Sequence, residues 1–200
     1  MKRFLWIFSL FVLVGKLTAA IPSAERQIEL AVLAAPEAER DACKVLGYDP
    51  NGVLVTLRAG TNGLICLADD PNQKGFSVAC YSAGLEPFMQ RGRDLKAAGK
   101  DTKAIFDLRE EDVKSGAIAI PVNSILNVLT GKLNEESGEL EDTYLRYVIY
   151  IPYATPETTG IPLVPSSPGG PWIMNPGTHR AHIMINPPKP DPKPMDHSNH

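Results

Sequence analysis

All four histidines of the 200-residue chain fall in its last 22 residues, as His179, His182, His197 and His200. They form two His-x-x-His pairs, and each pair has a methionine two residues away: Met184 follows His182 and Met195 precedes His197. Imidazole with thioether suits copper, and imidazole alone suits zinc. His179, His182, Met184, His197 and His200 are therefore the candidate metal ligands, for copper or zinc. Geometry works against the first pair, because a strand over 181–185 puts His182 and Met184 on one face and leaves His179 elsewhere. Two ligands also do not complete a site without further partners in a fixed arrangement.

The other groups able to do chemistry are sparse. Asp69-Asp70 and Glu110-Glu111-Asp112 are neighbouring carboxylates of a kind common on solvated turns and helices. The chain has no phosphate-binding glycine loop, Gly-x-Ser-x-Gly, His-Glu-x-x-His, Cys-x-x-Cys or EF-hand pattern, so no catalytic residue is assigned. Tyr147, Tyr150 and Trp172 are the best candidates to line a ligand pocket, with ordinary sheet packing as the alternative. Arg91, Arg93 and Lys96, with Lys100 and Lys103 nearby, make a local basic patch. It is either a solvated helix face or a docking site for an acidic partner.

The elements that must position these groups can be read from periodicity. Ser23 is a helix N-cap, and Ile28, Ala31, Val32 and Ala35 form an apolar stripe that Pro36 ends. Asp49-Pro50-Asn51-Gly52 is a tight hairpin turn between two apolar runs. Val53 to Arg58 follows, and Gly60-Thr61-Asn62-Gly63 reads as a second turn before a third strand, Leu64 to Ala68. Three strands joined by short turns predict an antiparallel meander. Residues 84–99 and about 103–114 read as helices, and Ala117 to Pro121 and Ile125 to Thr130 as strands. Thr143 to Ile151 is a strand through its β-branched residues, with Leu145, Tyr147, Ile149 and Ile151 as its inward face.

The meander guides the cysteines. In that arrangement Cys43 and Cys66 lie two strands apart, about 10 Å laterally and beyond the ~7 Å Cα reach of a disulfide. Cys66 and Cys80 bracket a polar loop, and closing it contributes about 3 kcal/mol in the entropic picture. The expected disulfide is Cys66–Cys80, which leaves Cys43 as a small buried apolar group.

Composition bounds where such a protein works. Lys2 and Arg3, the apolar run Phe4 to Val14 and the small residues Thr18-Ala19-Ala20 have the layout of a secretory signal peptide cut after Ala20. Lys16 ends the run too early for a membrane span. The remaining chain carries 17 basic and 23 acidic side chains, a formal charge of −6 with no general attraction for nucleic acid or anionic lipid. Twelve of the 18 prolines lie between Pro152 and Pro194, so the last quarter is largely irregular. The reading is a signal peptide over 1–20, one α+β domain over 21–186, and a disordered Pro/His-containing tail over 187–200. The domain is an antiparallel β-sheet with an N-terminal meander, helices packed on one face, and an irregular Pro-rich C-terminal extension.

At Arg58-x-Gly60-Thr61-Asn62-Gly63-x-x-Cys66-x-x-Asp69-Asp70-Pro71, followed by Cys80, the chain resembles an uncharacterised group of exported bacterial proteins. A second match is Pro171-Trp172-Ile-Met174 with His182-Ile-Met184-Ile185. The resemblance implies export and the Cys66–Cys80 pairing, and it carries no catalytic residue. The terminal Met195-Asp-His-Ser-Asn-His200 is similar to the Met/His-rich repeats of periplasmic copper-handling proteins. The function expected is a non-enzymatic binding or interaction module in the periplasm or outside the cell. Metal binding through the C-terminal histidines is the second reading, and a hydrolase with an unidentified site the third.

Overall fold

Ser23 Oγ accepts the Arg26 N–H and starts α1 (Ala24–Ala31), which tightens into a 3₁₀ turn at Val32–Ala34 before Pro36 ends it. A second 3₁₀ segment, Glu37–Ala42, leads into β1 (Lys44–Tyr48). The Asp49 carboxylate accepts the N–H groups of Asn51 and Val53, fixing the tight turn into β2 (Leu54–Arg58), which pairs antiparallel with β1. The computed structural model describes residues 21–134 and 136–189. The expected signal peptide over 1–20 and most of the expected tail, with Met195, His197 and His200, lie outside the described residues.

The expected meander breaks at the next connection. β3 (Leu64–Leu67) does not return beside β2. It lies on the other side of β1 and runs parallel to it. The segment Gly60–Gly63 is thus a crossover and not a hairpin turn. Thr61 N–H donates to the Ala42 carbonyl at 2.8 Å, and Arg58 Nε donates to the Cys43 carbonyl at 3.0 Å. A Cβ at Gly60 would sit 2.0 Å from Lys44 N, so only glycine lets the two backbones cross. The Arg58-x-Gly60-x-Asn62 pattern therefore has a structural task.

From β3 onward the sheet is antiparallel. β4 (Phe76–Ser82), β5 (Ser124–Leu133) and β6 (Leu140–Tyr150) follow in order, then β8 (His182–Ile185) and the edge strand β7 (Trp172–Met174). The full order is β2-β1-β3-β4-β5-β6-β8-β7. Between β4 and β5 the chain forms α2 (Glu86–Ala97) and α3 (Thr102–Lys114), and a short α4 (Pro156–Thr159) follows β6. The α+β class and the largely antiparallel sheet are as the sequence leads one to expect. Residues 117–121, expected as a strand, are irregular.

The helices cover both faces of the sheet and not one. Strand residues alternate between the two cores: Val45, Cys66 and Cys80 face α1, while Leu46, Ile65 and Tyr81 face α2. The first core gathers Leu30, Ala31, Ala34, Val78 and Leu129, and the second Leu85, Phe88, Ile120, Val148 and Tyr150. The inward face of β6 is likewise corrected. Val148 and Tyr150 are its buried residues, and Tyr147 is exposed. Both faces of this strand carry apolar side chains, so alternation alone does not choose between them.

Candidate functional site

The C-terminal histidines are held by separate devices. His179 follows the Asn175–Thr178 turn and is fully buried, 0% exposed. Its ring sits between Phe88 of α2 and Phe106 of α3, with centroids 5.6 and 4.8 Å away. The His179 backbone N–H donates to Glu110 Oε2 at 2.9 Å, and its Nδ1–H donates to the same oxygen. That fixes the neutral tautomer with Nε2 unprotonated, and Nε2 is buried without a partner. Burial pushes the His179 imidazole below its ordinary range; Glu110 pulls the other way, and the nearby Arg109 and Arg180 reinforce the drop. Burial alone would raise Glu110, but the His179 N–H and the Lys114 ammonium at 2.9 Å hold its carboxyl below the usual carboxylate range.

His182 lies on β8, where its Nδ1–H donates to the Arg180 carbonyl at 2.6 Å and its ring tilts against Tyr150. Met184, one alternation along, packs into the core beside Val148. His179 precedes β8 while His182 and Met184 lie on it; among the described residues neither histidine joins a group of three His, Cys, Asp or Glu ligand atoms, and two guanidiniums bear on His179. Tyr147, Tyr150 and Trp172 form no common pocket either. Tyr150 and Trp172 share the α2 side of the sheet, while Tyr147 points to the opposite side and is 37% exposed.

The basic patch is neutralised by the chain itself. Arg91 meets Asp112 at 2.7 Å, Lys96 meets Asp70 at 3.0 Å, and Lys103 meets Asp107. Arg93 donates to Glu86 at 2.6 Å and to the Tyr81 hydroxyl at 3.2 Å, while Tyr81 O–H donates to the other Glu86 oxygen. An acidic partner would have to displace these bonds.

The cysteines meet more closely than the meander allows. Because β3 lies directly beside β1, the Sγ atoms of Cys43, Cys66 and Cys80 all fall within 4.8 Å of one another. Cys66 and Cys80 are register partners on β3 and β4, with their sulfurs 3.0 Å apart, and no disulfide joins the three. The Cys43 thiol donates to the Glu39 carbonyl and accepts from the Asn62 amide. Burial pushes Cys43 up, and the adjacent Cys80 sulfur together with burial pushes Cys66 up. Among the described residues this is the only group of three or more His, Cys, Asp or Glu side chains close enough to hold one metal ion. On the core side its surroundings are apolar, chiefly alanine, leucine and valine, while at Cys43 the Asn62 amide bridges to the Glu39 carboxylate and Arg58 donates to the Cys43 carbonyl.

No family model, curated protein or solved structure matches the chain.

Spacing gave no hint of Arg109, Phe106 or Arg180 as neighbours of His179. Arg109 is half-buried, with its guanidinium carbon 3.2 Å above the Phe88 ring centroid. Burial lowers its pKa to about 10; Tyr150 opposes the shift, and the fields of Arg180 and Arg93 add to it. Arg180, also half-buried, lies 5.8 Å from the Phe106 centroid. Phe106 and Arg109 come from α3 and Arg180 from the turn before β8, so these neighbours are far apart in the sequence.

Proposed function

We propose that the protein is an exported, non-enzymatic binding module. The observation that carries this reading is the closure of the Glu110–His179 pair. A general base must reach the proton that it removes, but the free nitrogen of His179 is sealed between two phenylalanine rings, and no hydroxyl, thiol or amine bonds to it among the described residues. Glu110 and His179 instead tie α3 to the approach to β8. The reading is tested with the full chain against chromogenic carboxylic-ester, phosphate-ester and peptide substrates. Turnover no greater than that of Glu110→Gln is expected. Turnover that Glu110→Gln abolishes contradicts it.

In this reading the protein leaves the cytoplasm after cleavage behind Ala20, and its cysteines meet an oxidising compartment. Cys66 and Cys80 then lose two protons and two electrons to a disulfide donor and form a neutral cross-strand bond, leaving Cys43 as a protected thiol. Supporting this are the pairing register of the two residues and the apolar setting, which accepts a disulfide at no charge cost. Mass analysis of the exported protein should give an N-terminus at Ile21 and one free thiol per chain.

A second reading is favoured by the convergence of three sulfurs within 4.8 Å: capture of a soft ion, copper(I) or zinc, by the reduced cluster. It differs from the histidine-based site expected from the sequence. Three free thiols after export, with one equivalent of zinc or copper(I) bound despite His179→Ala and His182→Ala, would replace the disulfide by this site.

A further inference from the structure

We infer that the cations flanking His179 form a binding site for an oxyanion, the carboxylate or phosphate group of a small ligand. The inference rests on the binding-module reading and names the chemistry of its ligand. The frame is a set of aromatic contacts. Arg109 lies over Phe88, Phe88 and Phe106 meet His179 edge-on, and Arg180 lies near Phe106. Both guanidiniums bear on the same buried imidazole, and Arg180 is near enough to Arg109 to lower its pKa.

Neither guanidinium has a carboxylate. Among the described residues no ion pair reaches Arg109 or Arg180, and the local acid, Glu110, already serves His179 and Lys114. Arg109 Nε and Nη2 are shielded from water and donate to nothing. Those two atoms are one edge of the guanidinium fork, which grips a carboxylate or phosphate through two parallel hydrogen bonds. A desolvated cation with two unmet donors is costly, and an oxyanion satisfies both. Arg93 is the contrast within the same core: it packs on the same helix side, yet every contact it makes is answered by Glu86 and Tyr81.

α2 is shaped for Arg109. Gly92 interrupts the helix where a Cβ would lie 3.1 Å from Arg109 Nη1. Glycine inside a helix is unfavourable relative to alanine, so the position favours seating the guanidinium over local helix stability. The Phe88 ring beneath Arg109 attracts its cation without using its N–H groups, which leaves Nε and Nη2 to a ligand.

The test titrates the full chain by calorimetry with inorganic phosphate and, separately, with acetate, at constant ionic strength set by chloride. Saturable one-to-one binding of at least one anion is expected, at least tenfold weaker in Arg109→Gln and in Arg180→Gln and unchanged in Lys96→Gln, whose cation is already paired. Arg180 is half-buried and its side chain makes no hydrogen bond among the described residues, so its variant keeps the test valid if Arg109→Gln folds poorly. Binding of phosphate alone identifies a phosphorylated ligand, and binding of acetate alone a carboxylate. Binding of neither, or binding that survives both arginine substitutions, overturns the inference. That failure with no catalytic turnover leaves the binding-module reading standing; turnover lost in Glu110→Gln removes that reading whatever the anions do.

Discussion

Beneath α1, three thiols meet among alanines and leucines. On the opposite face of the same sheet, α2 and α3 cover a layer in which arginines, a glutamate, a tyrosine and two histidines are packed against phenylalanine rings. Both layers bury groups that are reactive in water, and they quiet them differently. The thiol layer does so largely through burial and mutual sulfur bonding, which raise Cys43 and Cys66 while the bond from Cys66 lowers Cys80. The charged layer does so by pairing: Glu86 with Arg93 and Tyr81, Asp112 with Arg91, Glu110 with His179 and Lys114. The comparison isolates what is unusual. In a layer where nearly every charge is answered, the cations beside His179 are not.

The largest break in this contrast should come from Phe88→Ala. Phe88 is fully buried and touches Tyr150, His179 and Arg109, so its loss should destabilise the protein by about 3–5 kcal/mol, read from urea midpoints. In the thiol layer, Cys66→Ser in the oxidised protein should cost about 3 kcal/mol, most of it the loop constraint lost with the disulfide. Cys43→Ser should cost less, about 1 kcal/mol, because a hydroxyl can still donate to the Glu39 carbonyl. Equal costs for the two cysteine variants would mean that no disulfide forms. Among the exposed pairs, Arg91→Gln should shift stability by no more than about 1 kcal/mol.

Acid should separate the layers further. His179 is depressed below its ordinary 6.5, so the unfolded chain binds the extra proton first and stability falls as pH drops below that value. Glu110 is depressed below 4.5, so its contribution is present above that pH and is lost as pH falls through its lower folded value. Both act in one direction. His179→Gln should remove the part of the acid loss that begins near neutrality, seen in denaturant midpoints measured from pH 7.5 to 5.

Much of the local structure is legible in the sequence because its causes are local. Ser23 caps its own helix, Asp49 closes its own turn, and the β-branched run before Pro152 is a strand. The failure at Gly60–Gly63 is instructive, since glycines around Thr-Asn suit a hairpin equally well. What decides the crossover is a distant contact, the Ala42 carbonyl and the bare Gly60 backbone against Lys44. That one error also displaced Cys43 by a strand. The His-x-x-His spacing does not reveal the surroundings of its members: His179 follows a turn and is enclosed by Phe88 and Phe106, while His182 lies on β8 against Tyr150. Glu110 was visible only as one of a run of acids, because its partner lies 69 positions away. Arg109 and Arg180 carry no signal in sequence, as an unpaired cation is recognised only once its neighbours are known.

The most direct test of the contrast is a crystal structure of the full chain grown in phosphate. An oxyanion accepting hydrogen bonds from Arg109 Nε and Nη2, with Arg180 turned toward it, is the expected result. A map in which that guanidinium edge bonds to the protein's own carbonyl or carboxylate, with no oxyanion beside it, would contradict the account.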